Sequence, residues 1–595
     1  MTNQNLPVWD LSAYYSGIDD PKIEADMAEA LKKSKDFELK YRGKVIDSTA
    51  ADFILTALKE FEEITLQSHK PVVFAQNVNN VDSIRPETGA LLQKTMKFVM
   101  DVNSLLTFFT LELNNLSSEK LKELSEDPIL KNYKHFLERL VEFKPHRLSE
   151  KEEIILQQKS LTSSHAFNRL FDDHFAIKKF PTVLHGKTVE LTEPEVLDLM
   201  KDADREKRKA ASISLTEGLK LDSKLLTFIY NTLGEDKSIN DRFTRFETPE
   251  QSRHLDNDLD PKVVELMVNV VTENYKIVED LYAAKKEWMG LDELYEYDRY
   301  APIHESNLKY DYVEAKTIVL DAFKKFSDKF YDAAKLFFDN NWIHAPSMPG
   351  KRGGAYCSGG TPDKHPVILL NYQNRLDDVG TLAHELGHGV NDYMMRDLNI
   401  INYDTPLVLA ETASVFAEML VFDALKEKIS DPKEKFGLYV EKIQSIFATV
   451  FRQISMYQFE LAFHNARRTK GELSPDDING IWQKTQTEMF GQSVKFSPGY
   501  ETWWSYIPHF NHTPFYVYAY AFGELLVLSL YAKYKQEGES FVPKYLELMK
   551  AGVTASPQEL LKPLGIDLSS REFWEGGIKI IRDMVQETKD LRKTF

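Results

Sequence analysis

The stretch Asp377-Asp378-Val379-Gly380-Thr381-Leu382-Ala383-His384-Glu385-Leu386-Gly387-His388 decides how the chain is read. Val379, Leu382, Ala383, Leu386, Val390 and Tyr393 recur at helical spacing, with Asp377 or Asp378 available as a cap. On such a helix His384 and His388 stand one turn apart. Both imidazoles can then reach one ion at zinc–nitrogen distances of about 2.0–2.1 Å. Glu385 can touch a water on that ion without being a ligand, the arrangement of a zinc hydrolase with a glutamate general base. The plain alternative is a buried helix with two satisfied histidines. With 15 histidines in 595 residues, and half of the 92 acids taken as glutamate, chance supplies this pattern about 0.03 times per chain.

A catalytic zinc needs a third protein ligand and an open position. Residues 407–426 read as another apolar helix, containing Glu411-Thr412-Ala413-Ser414-Val415-Phe416-Ala417-Glu418. Glu411 lies among Val408, Leu409, Ala410 and Ala413, where an ionised carboxylate needs a partner or a metal. The expected metal ligands are therefore His384, His388 and Glu411. Glu418, two turns on, could orient a histidine from behind; a solvated surface acid is the alternative.

The rest of the chain sets the frame. Hydrophobic residues make up 43% and charged residues 28%, which excludes collagen, a disulfide scaffold and general disorder. Against 92 acids stand 74 bases, a net charge of −18. Such a chain is a poor partner for nucleic acid or an anionic membrane, and neither is expected. The single cysteine, Cys357, permits no intrachain disulfide and fits a reducing, cytoplasmic setting. The opening, Met1 to Trp9, is polar and has no leader pattern. No apolar run approaches the roughly 18 residues of a transmembrane helix.

Helix signals recur throughout. Ser149 with Glu152 and Thr192 with Glu195 read as capping boxes, and Asp260-Pro261, Ser474-Pro475 and Ser556-Pro557 as helix starts. Strand signals are few. Thr182–Leu184 and Thr188–Leu191 flank His185-Gly186-Lys187 as a small hairpin, and Val367-Ile368-Leu369-Leu370 reads as a buried strand. The expected fold class is mainly α with a minor β-sheet. The hairpin suggests a boundary: residues 1–185 as an N-terminal helical region and 186–595 as the catalytic region.

Two further segments bear on chemistry. Peptide hydrolysis builds negative charge on the carbonyl oxygen, which a preorganised tyrosine hydroxyl or histidine N–H can stabilise. His509 precedes a dense tyrosine set in which Tyr516 and Tyr520 would share a face if helical. A packed aromatic cluster is the alternative, and Tyr518 is a weaker candidate than either. His509 and His512 lack an acidic or cysteine partner beside them, so a second metal pair is not expected. The glycine-rich segment Gly353 to Gly360 would let an extended peptide add along it as a strand, at Gly354, Ala355 and Tyr356. A plain turn is the alternative there. Cys357 would lie near the active site, with no catalytic role.

The spacing of HELGH and ETASVFAE, with Gly350-Lys351-Arg352-Gly353-Gly354-Ala355-Tyr356-Cys357 upstream, resembles oligoendopeptidase F. That is a branch of the thimet-oligopeptidase-like zinc metallopeptidases. The likeness continues in Ile368-Leu369-Leu370-Asn371-Tyr372, Tyr506-Ile507-Pro508-His509-Phe510 and Pro514-Phe515-Tyr516-Val517-Tyr518-Ala519-Tyr520. It touches Trp9-Asp10-Leu11-Ser12 and the Tyr297-Asp298 to Pro302 stretch, and is densest from 350 to 523. One departure is Asn391, where many relatives carry a further histidine. The resemblance implies a large helical zincin-type body with a small sheet beside the active site and a deep substrate channel. It implies one Zn2+ per chain, short peptides as substrates, a substrate strand near Ala355, and transition-state roles for His509 and Tyr516. The N-terminal region would wall or cap the channel.

The sequence thus reads as a zinc-dependent endopeptidase for short peptides, with Glu385 as general base. The alternatives are a helical zinc carboxypeptidase, which should need a cation to grip the substrate terminus, and a non-catalytic peptide-binding protein on the same scaffold. The last should have lost the base or a ligand, yet His384, Glu385, His388 and Glu411 are all present.

Overall fold

The computed structural model describes residues 6–46, 50–304 and 306–595. Residues 1–5, on which part of the reading of the opening rests, lie outside the described residues. Helices dominate, and among the described residues there are two small sheets. No helix among those residues is long and apolar enough to cross a membrane.

Local chemistry sets the helix starts where the sequence marks them. Asp260 accepts from the Lys262 N–H at 2.9 Å, and Pro261 opens the helix that follows. That helix buries Val263, Val264, Met267, Val268, Val270 and Val271, a stripe of period 3.6. Glu152 and Glu195 reach back to the backbone of Ser149 (2.9 Å) and Thr192 (2.7 Å), as capping boxes do.

The expected hairpin is present as β1 (Phe180–Leu184) and β2 (Lys187–Leu191), paired antiparallel with Leu184 opposite Lys187. His185 (φ 50°) and Gly186 (φ 77°) are both left-handed, the turn whose twist matches two antiparallel strands. Lys187 belongs to β2 rather than to the turn.

The chain forms two compact units, each assembled from three segments: Met1–Pro145, Asn307–Lys428 and Lys533–Asp567 in the first, His146–Ser306, Ile429–Ala532 and Leu568–Phe595 in the second. The hairpin that suggested a boundary lies within the second. In the first unit, the helices Pro21–Tyr41, Ala51–Val81 and Pro86–Asn115 share a core. Phe37 sits there edge-on to Phe109 at 5.3 Å. The same unit holds a sheet of β3 (Ile343–His344), β4 (Tyr356–Ser358) and β5 (Val367–Leu369), in the order β3-β5-β4. Central β5 is fully buried, as its unbroken apolar run requires, and β4 is an outer strand. The second unit is built on aromatic packing: Tyr230 stacks on Phe463 at 3.8 Å, beside Phe459, Trp504 and Phe510.

In the first unit the helix Leu376–Met395 carries the HELGH motif. Neither Asp377 nor Asp378 is its cap residue. Asp378 lies inside the first turn and accepts from the N–H groups of Arg375 (2.8 Å) and Gln373 (2.9 Å). A carboxylate three residues in reaches both donors, whereas a cap at 377 or 378 would cost a turn of helix. The next helix runs Thr412–Lys428, preceded by a short 3-10 turn at Leu407–Leu409. The single helix expected from residue 407 is thus broken at Ala410 and Glu411.

The two helices meet at Gly387. A methyl group there would lie 2.6 Å from the Ala413 carbonyl oxygen and 2.6 Å from Ser414 Cα. Two residues on, a methyl group at Gly389 would lie 2.5 Å from the Phe337 ring and 3.4 Å from Ile368 of β5. We therefore expect Gly387→Ala to destabilise the protein by about 1–3 kcal/mol through overpacking against backbone. Gly380, on the same helix with nothing within 4 Å, is the control: Gly380→Ala should be neutral or stabilising. Denaturant midpoints measure both, and equal effects would show that the close approach does not matter.

Candidate active site

His384 and His388 project from successive turns of the motif helix, their ring centroids 4.9 Å apart. Glu411 does not sit within the following helix but in the turn that starts it. Its carbonyl receives the Val415 N–H at 3.0 Å, and its carboxylate accepts from the Ser414 hydroxyl at 2.7 Å. Glu411 is thereby held at a helix N-terminus with its side chain turned to the histidines. Glu411 Oε2 is 3.4 Å from His384 Nε2 and 3.4 Å from His388 Nε2. Donors about 2.0–2.1 Å from a tetrahedral ion stand about 3.3–3.4 Å from one another, so these atoms fit one zinc. They are the group among the described residues whose donor atoms could share a metal ion. Glu418 accepts a hydrogen bond from His384 Nδ1 at 2.6 Å, which leaves Nε2 to face Glu411.

The charges sort themselves by surroundings. Burial works against ionising Glu411, but His388, His384 and the Ser414 hydroxyl prevail and hold its pKa at about 2. Burial likewise opposes a charged His384, yet Glu418, Glu411 and Glu385 carry its pKa to about 9. Glu385 is 6% exposed, and burial raises its pKa although both histidines pull it down. One site thus holds a firmly ionised glutamate beside one whose pKa burial raises.

His384, Glu385, His388 and Glu411 line a cavity of about 540 Å³. Ala355, Tyr356 and Cys357 form part of its wall, so β4 runs beside the histidines. Gly354 (φ 76°) turns the chain into that strand, and its carbonyl accepts from Asn371 at 2.8 Å. The Tyr356 hydroxyl is engaged by Asn80 (2.8 Å) and Asn77 (3.0 Å).

Asp392 and Tyr403, which sequence reading passed over, line the same cavity. Burial raises the Asp392 pKa to about 6 against the pull of His388, and Cys357 Sγ lies 3.6 Å from its carboxylate. Tyr403 donates to the Gly359 carbonyl at 2.8 Å. The signal for Asp392 was its place four residues after His388, hence on the same helix face. Asn391 also lines the cavity; it is buried and donates to the Met549 carbonyl at 2.9 Å.

His509, Tyr516 and Tyr520 come together in the second unit. His509 Nε2 is 3.3 Å from the Tyr520 hydroxyl, and the Tyr516 and Tyr520 rings are 4.9 Å apart. Helical spacing is not the cause, because the helix begins at Tyr518. Instead Phe515 takes a left-handed turn (φ 60°) that brings Tyr516 back. Its N–H donates to buried Glu460 at 2.9 Å, and Arg253 donates to the Pro514 carbonyl at 3.4 Å. Tyr518 points away, its hydroxyl bonded to Asn257 (2.7 Å) and His254 (3.1 Å). His512 pairs with Asp172 at 2.8 Å.

Comparison with known proteins adds a second line. Residues 198–580 match the sequence profile of Peptidase family M3, and residues 112–180 that of Oligopeptidase F. The β1–β2 hairpin starts at the last residue of the Oligopeptidase F match and ends before the other match begins. An oligoendopeptidase F homolog of Lactococcus lactis subsp. lactis is 28% identical, over 98% of this chain and 97% of its own length. In fold, the chain is similar to a crystal structure of a Chlamydophila abortus protein (TM-score 0.88, 24% identity, 98% of each chain). It is also similar to oligoendopeptidase-F from Enterococcus faecium (TM-score 0.72, 22% identity, 96% of this chain and 98% of the other).

Glu460 yields a prediction free of any assumed activity. Burial raises its pKa to about 8, from 4.5. Between these values the folded protein holds a proton that the unfolded chain has lost, so this group's contribution to stability falls as pH rises through that window. Glu460→Gln, which keeps an acceptor for Phe515, should flatten that fall. Glu460→Leu should cost about 1–3 kcal/mol by stranding the Phe515 N–H. Urea denaturation across pH reads both. An unchanged pH slope in Glu460→Gln would refute the assignment.

Proposed function

The chain belongs to peptidase family M3, and on that premise we propose that it is a zinc-dependent endopeptidase that hydrolyses short peptides. The observation that carries the reading is the convergence of His384 Nε2 and His388 Nε2 on Glu411 Oε2 at 3.4 Å each, with Glu418 fixing His384 from behind. His384, His388 and Glu411 would hold the metal. Zinc in such a set supplies Lewis acidity, which makes water acidic near neutrality and draws charge from a carbonyl oxygen.

The chain's own residues do the rest. Glu385 takes a proton from the attacking water as its oxygen bonds to the scissile carbonyl carbon. As the C–N bond breaks, Glu385 passes that proton to the leaving amine. A buried carboxyl with a raised proton affinity suits both halves of this exchange. His509 and Tyr516 are assigned to donate hydrogen bonds to the carbonyl oxygen as charge builds there, and Tyr520, close to His509, steadies that ring. Gly354, Ala355 and Tyr356 lead into an outer strand, so main-chain pairing there would bind peptides with little regard to sequence.

Short peptides and internal cleavage are favoured by the names of the relatives, which are oligoendopeptidases. Mapping the products of unblocked and end-blocked peptides separates an endopeptidase from a carboxypeptidase.

Glu385→Gln should retain zinc, measured by metal analysis, and lose at least about 100-fold in cleavage of internally quenched peptides. Comparable cleavage by the variant would remove Glu385 from the role of base. Tyr516→Phe should lower kcat by about 100-fold while KM changes little, the pattern of a group that acts on the transition state. A rise in KM at constant kcat would instead make Tyr516 a substrate contact.

A further inference from the structure

The second unit contains two guanidinium groups without an acid, one buried and one partly exposed. Arg299 is 5% exposed. Its Nε donates to the Glu296 carbonyl at 2.9 Å, and the group lies over the rings of Phe490 (5.2 Å), Tyr300 (5.4 Å) and Tyr500 (5.8 Å). Arg452, on the helix Phe451–Lys470, directs its NH1 to the Tyr300 hydroxyl at 3.3 Å. Among the described residues no carboxylate pairs with either.

Several other cations of the same unit are paired with acids, whereas buried Lys285 donates to the Arg299 and Ala301 carbonyls. Arg205 and Arg208 share buried Asp298, and Lys237 and Arg468 share buried Asp241. Enclosing a charge without a counter-ion is costly, and two like charges together cost more. Both guanidinium groups meet Tyr300, and burial, with Arg452 adding to it, lowers the pKa of His509. Lys201 adds positive charge near Tyr300. Glu193 acts on Tyr506, but burial lifts its own pKa to about 7, so it offsets only part of this field.

We propose that Arg299 and Arg452 form a subsite, beside His509, for a carboxylate of the peptide substrate. The proposal rests on the peptidase reading above. Arg452, partly exposed, is the group a ligand reaches, and its planar fork suits the two oxygens of a carboxylate. Arg299 adds charge, and Tyr300 and Tyr506 bring hydroxyl groups. The carboxylate is either the C-terminus of a short peptide or an Asp or Glu side chain.

The test uses three peptides of one sequence: the free acid without acidic side chains, its C-terminal amide, and that amide carrying one aspartate. Binding is measured on the zinc-loaded Glu385→Gln protein, and cleavage on the wild type. At least one carboxylate peptide should bind about tenfold or more tighter than the neutral amide. Whichever one does identifies the source. Adding Arg452→Gln should bring that ratio to about one, and Arg452→Lys, which keeps the charge, should restore part of it. Equal binding of all three peptides would overturn the proposal, as would a full preference in Arg452→Gln. If neither Arg452 variant folds, the wild-type ratio alone decides. Cleavage without a preference defeats the subsite and leaves the peptidase. A binding preference without any cleavage defeats the peptidase and leaves the subsite.

Discussion

The metal-type centre depends on how closely two helices can approach. At Gly387 the motif helix comes so near the start of the next that a single methyl group would strike backbone. That approach places the turn holding Glu411 opposite His384 and His388. It also brings Glu418, one helical stretch further on, behind the first ring. Gly389 plays the same part toward the sheet, where Phe337 and Ile368 occupy the space of its missing side chain. Two glycines thus fix one helix against two neighbours, and the donor geometry follows from that clamp.

Within the clamp, electrostatics gives three glutamates three different characters. Glu411 faces two imidazoles and is held ionised. Glu418 accepts from a ring nitrogen and sets which nitrogen of His384 faces the centre. Glu385, one residue from His384, is enclosed instead and gains proton affinity. Sequence position alone does not set these three characters. Burial and partner do.

The second unit handles charge in another way. Arg205 and Arg208 share one aspartate and Lys237 and Arg468 another, Lys285 donates to backbone carbonyls, and buried Glu460 accepts a backbone N–H. The left-handed turn at Phe515 depends on that contact and on Arg253, and it carries Tyr516 toward His509 and Tyr520. Arg299 and Arg452 break the pattern of pairing. An uncompensated pair of cations in an aromatic wall is the kind of feature that a ligand of opposite charge would complete.

Much of this was legible in the residues themselves. Helix periodicity, caps, the hairpin and the buried run at Val367–Leu369 are local, and local rules place them. The HELGH spacing determined the two histidines and the adjacent glutamate, because one turn of helix is a fixed geometry. Glu411 was identified by its apolar neighbours, although its place in a turn rather than a helix was not. What only the tertiary structure decided joins residues far apart in the chain: Gly387 against Ala413, Cys357 near Asp392, Phe515 on Glu460, and Arg299 and Arg452 at Tyr300. Spacing along a chain constrains neighbours one turn or one strand step away. Contacts between residues tens of positions or more apart are set by packing, and no local pattern encodes them.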